Sequence, residues 1–336
     1  MSAGKETHSL KALKLLLIIP GRPDGNELPF ARRQARHFAD RYHADVRIFF
    51  LRDRTSLKAI WNAGREFRSI EDEIRPDVVH VHYGTMTAFF GVIHARAPVV
   101  ITFHGSDLNP TPSDGRVRDL AGRMLSQIAA LFSDGIICVS RKLVDRLWWR
   151  ASKAKVLPMG VDLDRFRPMD RIACREELGW DAAGKIVLFN GNNPKLKRLD
   201  IAEAVIEGLR GKGITAELKV LKGEIPTERM PVMMNAADAL LLCSDQEGSP
   251  TMVKEAMACG LPVVSSDVGD VRERTQGVFP GAVVEQDVKR LTDALGSVLQ
   301  LDRRSNGREK AVENGIDAAR IDLATYQFLC DVASRK

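Results

Sequence analysis

The sequence predicts an α/β protein of two successive parallel-sheet domains facing a central cleft, and three observations carry that prediction. Short β-branched or aliphatic runs alternate with helix-like stretches, the alternation stops at a segment rich in charge, Gly and Pro, and it then begins again. The length, 336 residues, gives each half enough chain to bury a core of its own. A composition of 44% hydrophobic and 28% charged residues excludes a disordered, collagenous or disulfide-scaffold chain.

Taken in order, strands are expected at Leu15 to Ile19, Val46 to Phe50, Val78 to Val81, Val99 to Phe103, Gly135 to Val139 and Lys155 to Leu157. The second set comprises Ile186 to Asn190, Glu217 to Leu221, Ala239 to Cys243, Pro262 to Ser265 and Ala282 to Val283. Between the two sets lies GVDLDRFRP, Gly160 to Pro168, which reads as the linker. The domains are therefore expected at 1–165 and 166–313, with a C-terminal segment 314–336. Within that segment Asp317 to Ser334 carries Ile321, Ala324, Phe328 and Leu329 at helical spacing, and such a helix could pack back onto the first domain. Open parallel sheets bind ligands beyond the carboxyl ends of their strands, so the loops after strands are the places to look for chemistry.

Composition narrows the classes further. The five cysteines are scattered, odd in number and without a CxxC pair, as reduced and mostly buried thiols would be. No apolar run approaches the roughly 20 residues of a membrane span. Lys14 interrupts the N-terminal apolar run and no small-residue cleavage pattern follows it, so the expectation is a cytoplasmic protein without a signal peptide. Residues 1–170 carry 27 Lys and Arg against 19 Asp and Glu, a net +8, whereas 171–336 carry 23 against 25, a net −2. A basic half suits an anionic partner; no nucleic-acid motif accompanies the charge, and no nucleic-acid partner is expected.

The most informative text runs from Leu240 to Ser266, LLLCSDQEGSPTMVKEAMACGLPVVSS. It reads as strand, helix, strand, with Ser249 as N-cap, Pro250 as the first helical residue and Gly260 and Pro262 as stop signals. A helix from about Pro250 to Cys259 would aim free N–H groups and a partial positive charge at a phosphate or diphosphate. Glu247 before that terminus and Glu255 on the helix are acceptors suited to sugar hydroxyls. Read alone, the same pair is an ordinary charged helix face.

The spacing Glu247-Gly248-x-Pro250-x-x-x-x-Glu255, followed by Ala256-x-Ala258-x-Gly260-x-Pro262-Val263, resembles the signature of the retaining GT-B glycosyltransferases of glycosyltransferase family 4. Asp134-Gly135-Ile136-Ile137-x-Val139-Ser140 and Gly160-Val161-Asp162-x-x-x-Phe166 agree in the same order. The resemblance implies the GT-B fold, two Rossmann-like domains, and a hexosyltransferase that draws on a nucleotide sugar, with a UDP-sugar favoured. It implies that Glu247 binds the donor sugar, that Glu255 binds the ribose, and that backbone amides of Gly248, Ser249, Pro250 and Thr251 approach the donor. Family members bind the diphosphate with a basic pair, usually an Arg after Gly and a later Lys. Here Asn192 occupies the Arg position, Lys197 matches the Lys, and Arg198 or Lys195 supplies the second charge; the loop alone would read as solvated basic text.

In the first domain, His104-Gly105-Ser106-Asp107 follows a strand and resembles the family loop whose histidine contacts the transferred sugar. His104 takes that role, and Asp107 reads as a helix N-cap rather than an organiser of the loop. The first βα loop, Pro20 to Asn26, resembles the family's glycine loop on the acceptor side through Gly21 and Gly25; it is neither a GxGxxG fingerprint nor a P-loop. His80 and His82 point the same way from a strand, but without a third ligand no metal is expected, and His82 with Tyr83 reads as acceptor-side. Asp162-Leu163-Asp164 imitates a DxD metal motif and is set aside, since the resembled family is metal-independent. No cofactor is expected.

Arg32, Arg33, Arg36 and Arg41 share one predicted helix. Arg141 to Lys155 forms a second basic segment that contains Trp148 and Trp149. Lys and Arg beside Trp suit an anionic bilayer, so peripheral contact with the inner membrane is expected, against a solvated basic face with core tryptophans, and the expected acceptor is a glycan, lipid-linked or small-molecule hydroxyl. Two other functions stay open: a nucleotide-sugar epimerase or hydrolase of the same fold, and a non-enzymatic sugar-nucleotide-binding subunit.

Overall fold

The computed structural model describes residues 11–25, 28–111, 115–222 and 225–335. These form two compact units, 1–158 with 321–336, and 159–320. In the first unit a parallel sheet of β1 (Lys14–Pro20), β2 (Asp45–Leu51), β3 (Val78–His82), β4 (Val99–Phe103), β5 (Gly135–Cys138) and β6 (Lys155–Val156) runs in the order β2-β1-β3-β4-β5-β6. Helices α1 (Pro29–Tyr42), α2 (Leu57–Ile74), α3 (Thr85–His94), α4 (Arg116–Phe132) and α5 (Arg141–Val144) make the connections. β1, β3, β4 and β5 are buried almost throughout, which explains why they read as apolar runs rather than alternating ones.

The second unit repeats the plan. It contains α6 (Arg171–Leu178), β7 (Lys185–Asn190), α7 (Pro194–Lys197), α8 (Leu199–Arg210), β8 (Ala216–Leu221), α9 (Met230–Ala236), β9 (Ala239–Leu242), α10 (Thr251–Ala258), β10 (Val263–Ser266), α11 (Val271–Arg274), β11 (Ala282–Val284), α12 (Val288–Leu301) and α13 (Gly307–Glu313). Its parallel sheet runs β11-β10-β9-β7-β8. One core lies on each face: Leu188, Leu240, Ala256 and Met257 on one side, Phe189, Leu241, Val205 and Leu295 on the other. Every strand expected from the sequence is present.

The chain leaves the first unit at Pro158–Met159, whereas the linker text suggested 165/166. Val161 already pairs with Asp317, and Phe166 is buried in the second unit's core, which draws this stretch into that unit. The last helix, α14 (Ala318–Ala333), lies from Ile321 onward in the first unit. Its Tyr326 hydroxyl donates to the Lys11 carbonyl at 2.9 Å and accepts from the Leu13 N–H at 2.9 Å, and Phe328 and Leu329 enter the core below β1. The structure describes free cysteines at all five positions; four are buried and Cys330 is half-buried.

Each sheet has its switch point between its first and third strands, β1 and β3 in one unit, β7 and β9 in the other. At such a point the two flanking loops diverge and leave a crevice at the carboxyl ends, the ligand-binding position of doubly wound sheets.

Candidate functional site

In the second unit the loops after β7 and β9 gather the residues with the best-matched chemistry. Beyond Asn190, whose side chain accepts from the Asn192 N–H at 3.0 Å, Asn193 caps α7 by accepting from the Leu196 N–H at 3.3 Å. Pro194 starts α7 and Lys197 ends it. The Lys197 ammonium donates to Glu247 Oε1 at 2.5 Å, and the Ser244 hydroxyl donates to the same oxygen at 2.8 Å. Both charged side chains are largely buried, 15% and 11% exposed, so their attraction is less screened than that of a surface pair. The Asp245 N–H donates to the Leu196 carbonyl at 3.0 Å and ties the two loops together.

Arg198, the partner considered for Lys197, is turned to other carboxylates: it donates to Asp200 at 2.7 Å and to Asp245 at 3.1 Å. Lys195 and Asn192 stand exposed on the same loop.

Ser249 is not the N-cap of the following helix. Its hydroxyl donates to Asp270 Oδ2 at 2.8 Å, Pro250 takes the cap position without a side-chain hydrogen bond, and α10 runs from Thr251 to Ala258 rather than from Pro250 to Cys259. The Ser249 hydroxyl oxygen instead accepts from the buried Lys254 ammonium, a stronger donor than the helix N–H groups, while its proton goes to the carboxylate of Asp270, itself bonded by Arg274 at 2.9 Å. Lys254 is wholly buried beneath the turn, and its ammonium donates to the Ser249 hydroxyl at 2.9 Å and to the Met159 carbonyl at 2.7 Å. The start of α10 is thus fixed by Lys254, Ser249 and Asp270. Glu255 stands one turn beyond Thr251 on the same side of the helix, half-buried. At the other end Gly260, at φ 66°, donates to the Met257 carbonyl and Leu261 to that of Ala256, the left-handed stop that the Gly-x-Pro text signalled.

Gly269 lies against the start of this loop with φ 53°, and a Cβ there would stand 2.6 Å from the Gly248 carbonyl oxygen and 3.1 Å from Glu247 Cβ. Only glycine lets the chain pass so close to the Glu247-Gly248 backbone.

In the first unit the loops after β3 and β4 are joined by Asp107. Its buried carboxylate accepts the N–H groups of Gly84 at 3.0 Å, His104 at 2.9 Å and Gly105 at 2.7 Å. Asp107 therefore organises the loop instead of capping a helix, because three converging N–H groups satisfy its oxygens where it sits. Burial nevertheless outweighs these bonds and holds its carboxyl above the usual range. His104 Nε2 lies 3.3 Å from His82 Nδ1, its ring is 4.9 Å from that of Phe30, and the Tyr83 hydroxyl lies 2.7 Å from that of Ser106. Tyr83 adopts φ 83°, a strained backbone for a non-glycine residue.

His82 is fully buried behind His104, with its ring 4.2 Å from that of His80, whose Nε2 meets the Thr102 hydroxyl at 2.8 Å. Burial pushes His80 down to about 3 and His82 well below the ordinary histidine value, so both are neutral. Among the described residues no three His, Cys, Asp or Glu side chains form a metal-binding group.

Gly21, at φ 109°, and Gly25 lie in the loop after β1, where the Arg32 guanidinium donates to the Arg22 and Pro23 carbonyls at 2.5 and 2.6 Å. Asn26, the last residue of the expected glycine loop, lies outside the described residues.

Four contributors were missed from the sequence: Ser244, Lys254, Asp270 and Ser106. Only Lys254 left a signal, a cation among the apolar positions of a helix one residue before Glu255.

Residues 18–165 match the family model described as Glycosyltransferase Family 4, and residues 211–318 match the one described as Glycosyl transferases group 1. Among curated relatives, TuaC of Bacillus subtilis (strain 168), named as a teichuronic acid biosynthesis glycosyltransferase, is 27% identical over 59% of this chain and 55% of its own. A D-inositol 3-phosphate glycosyltransferase of Xylanimonas cellulosilytica is 28% identical over 68% of this chain and 64% of its own. The chain thus spans 55 to 64% of the length of these relatives. Among solved structures, sucrose-phosphate synthase from Thermosynechococcus elongatus superposes with a TM-score of 0.80 at 18% identity, over 96% of this chain and all of the other. Anabaena HepE in complex with UDP-glucose gives 0.72 at 19% identity, over 96% and 100%.

Proposed function

We propose, from the premise that the chain belongs to the GT-B glycosyltransferases of family 4 and group 1, that it moves a hexose from a UDP-sugar to an acceptor hydroxyl with retention at the anomeric carbon. The observation that carries this reading is the Lys197–Glu247 pair at the switch point of the second unit, beside the start of α10. A diphosphate sugar offers each member of that pair a better partner. Lys197 would take the anionic diphosphate, Glu247 would accept from sugar hydroxyls, and Glu255 from ribose hydroxyls. The backbone of Gly248 to Thr251 would lie against the donor at the positive end of the helix.

Cleavage of the anomeric carbon–oxygen bond leaves negative charge on the departing nucleoside diphosphate. Lys197 and the helix terminus would meet that charge from fixed positions, which is worth more than the same groups in water, and the scheme assigns this work to them without a metal. Attack by the acceptor hydroxyl oxygen on the face from which the leaving group departs gives retention, and the hydroxyl proton passes to the departing diphosphate oxygen on that same face. His104 of the first unit would contact the transferred sugar, and Asp107 and His82 would hold its ring and loop in place. The acceptor in this reading is a glycan, lipid-linked or small-molecule hydroxyl compound, handled by the Gly21 to Gly25 loop and the Tyr83 region. HepE binds UDP and UDP-glucose, which supports the choice of uracil as donor base.

The test is release of nucleoside diphosphate from a panel of UDP-sugars, with and without a membrane-lipid or oligosaccharide acceptor fraction. Acceptor-dependent release that falls by about 100-fold or more in Lys197→Ala would support the reading. Release that needs no acceptor would point to a hydrolase, conversion of the UDP-sugar to an isomer without release would point to an epimerase, and release that ignores Lys197→Ala would overturn the assignment of the site.

A further inference from the structure

α4 presents its apolar side outward. Val117, Leu120, Met124 and Leu131 recur at helical spacing along one face, Phe132 closes it, and all are exposed, Val117 by 84% and Phe132 by 68%. The opposite face, through Ser126, Ala129 and Ala130, is buried against the first unit. Trp148, 58% exposed, is set beside this stripe because its backbone N–H donates to the Gln127 side chain at 3.0 Å. The neighbouring Trp149 donates its indole N–H to the Gln127 carbonyl at 2.6 Å and fixes the pair. An exposed apolar face about 25 Å long is too large to be incidental on a lone surface helix.

Its surroundings are cationic. Arg116 and Arg118 flank the stripe at the start of α4, and both are exposed. At the other end Arg150 donates to the Ala130, Leu131 and Ser133 carbonyls, and Lys153, Lys155 and Arg335 line a hollow of about 420 Å³ beside it. Residues 115–155 hold nine Lys and Arg against three Asp, a net +6, which equals the net charge of the whole chain. By contrast α1, with its arginines, carries no exposed large apolar side chain among the described residues.

We infer that the outward face of α4 with Trp148 is a surface that docks on an anionic lipid bilayer. The apolar stripe enters the headgroup boundary, and the flanking Arg and Lys meet lipid phosphates. Charge selects this occupant over a second copy of the chain, since pairing two such faces would bring the exposed Arg116 and Arg118 of one copy against a face with the same cations on the other. The inference is independent of the transfer reaction.

Cosedimentation with vesicles tests it. Wild type should sediment with equimolar phosphatidylcholine and phosphatidylglycerol in low salt, much less in high salt, and not with phosphatidylcholine alone. The triple variant Val117→Ser, Leu120→Ser, Met124→Ser should lose at least about tenfold in partition, and Arg116→Glu with Arg118→Glu should weaken binding in low salt. All five side chains are exposed, so melting temperatures should be unchanged, and the charge variant decides if the triple variant does not fold. Failure of wild type to sediment, or retention of binding by the folded triple variant, would overturn the inference. So would vesicle-independent dimerisation, seen by light scattering, that the triple variant abolishes.

Discussion

Lowering the pH from 8 to 5 should destabilise the first unit by about 2 kcal/mol through His80, with His82 acting in the same direction. His80 and His82 are fully buried in β3 with rings 4.2 Å apart, and burial depresses both, His80 to about 3. A depressed folded value means that the unfolded chain binds protons first as pH falls through the ordinary value of 6.5. Stability is therefore intact above that value and is lost progressively below it, down to the folded value. At pH 5, about 1.5 units lower, the unfolded His80 imidazole gains about 2 kcal/mol of protonation that its folded counterpart refuses, and His82 adds a loss of the same sign. The half-buried His94 is shifted in the same direction and adds to the effect. The assay is urea unfolding at both pH values, followed by tryptophan fluorescence in a Trp180→Phe background that leaves Trp61, Trp148 and Trp149 of the first unit as reporters. The variant His80→Gln with His82→Asn keeps a polar atom near each contact but cannot titrate, and most of the pH dependence should vanish in it. A wild-type loss below about 1 kcal/mol, or an equal loss in the double variant, would refute the argument.

Three further outcomes follow from the same contacts. Asp107→Asn leaves the Gly84, His104 and Gly105 N–H groups to a single neutral oxygen, and should cost the first unit about 2–3 kcal/mol in urea unfolding at neutral pH. Gly269→Ala meets a left-handed backbone and the Gly248 carbonyl at 2.6 Å, so the second unit should lose at least about 1–2 kcal/mol and its affinity for nucleotide sugars should fall in parallel, by calorimetry. Lys197→Ala removes the cation bonded to Glu247, and nucleoside diphosphates should bind it about tenfold more weakly in the same experiment, with a lowered melting temperature because the largely buried Glu247 carboxylate loses its cationic partner.

The central strands were legible because both sheets are parallel and buried at their middle, which turns a strand such as Val99–Phe103 into a short aliphatic run. Glu255 stood out because a helix start and a glycine stop bracket it, and Glu247 because it comes just before that start. What the sequence concealed were partners brought together by the fold. Ser249 has the chemistry of an N-cap, but its oxygen accepts from Lys254 and its proton goes to Asp270, 21 residues away. Asp107 looks like a cap until the loops after β3 and β4 converge on it. Helical periodicity reveals that α4 is two-faced, but only the packing of Ser126, Ala129 and Ala130 tells which face is turned inward.

A thermal-shift panel of UDP-, GDP- and ADP-sugars, run with magnesium and with chelator on wild type and Glu255→Ala, tests the central claim most directly. Ligand that binds the folded state raises the melting temperature. The account predicts that UDP-sugars stabilise wild type equally in both conditions and that Glu255→Ala abolishes the shift. Stabilisation that survives in Glu255→Ala, or none with any nucleotide sugar, would contradict it.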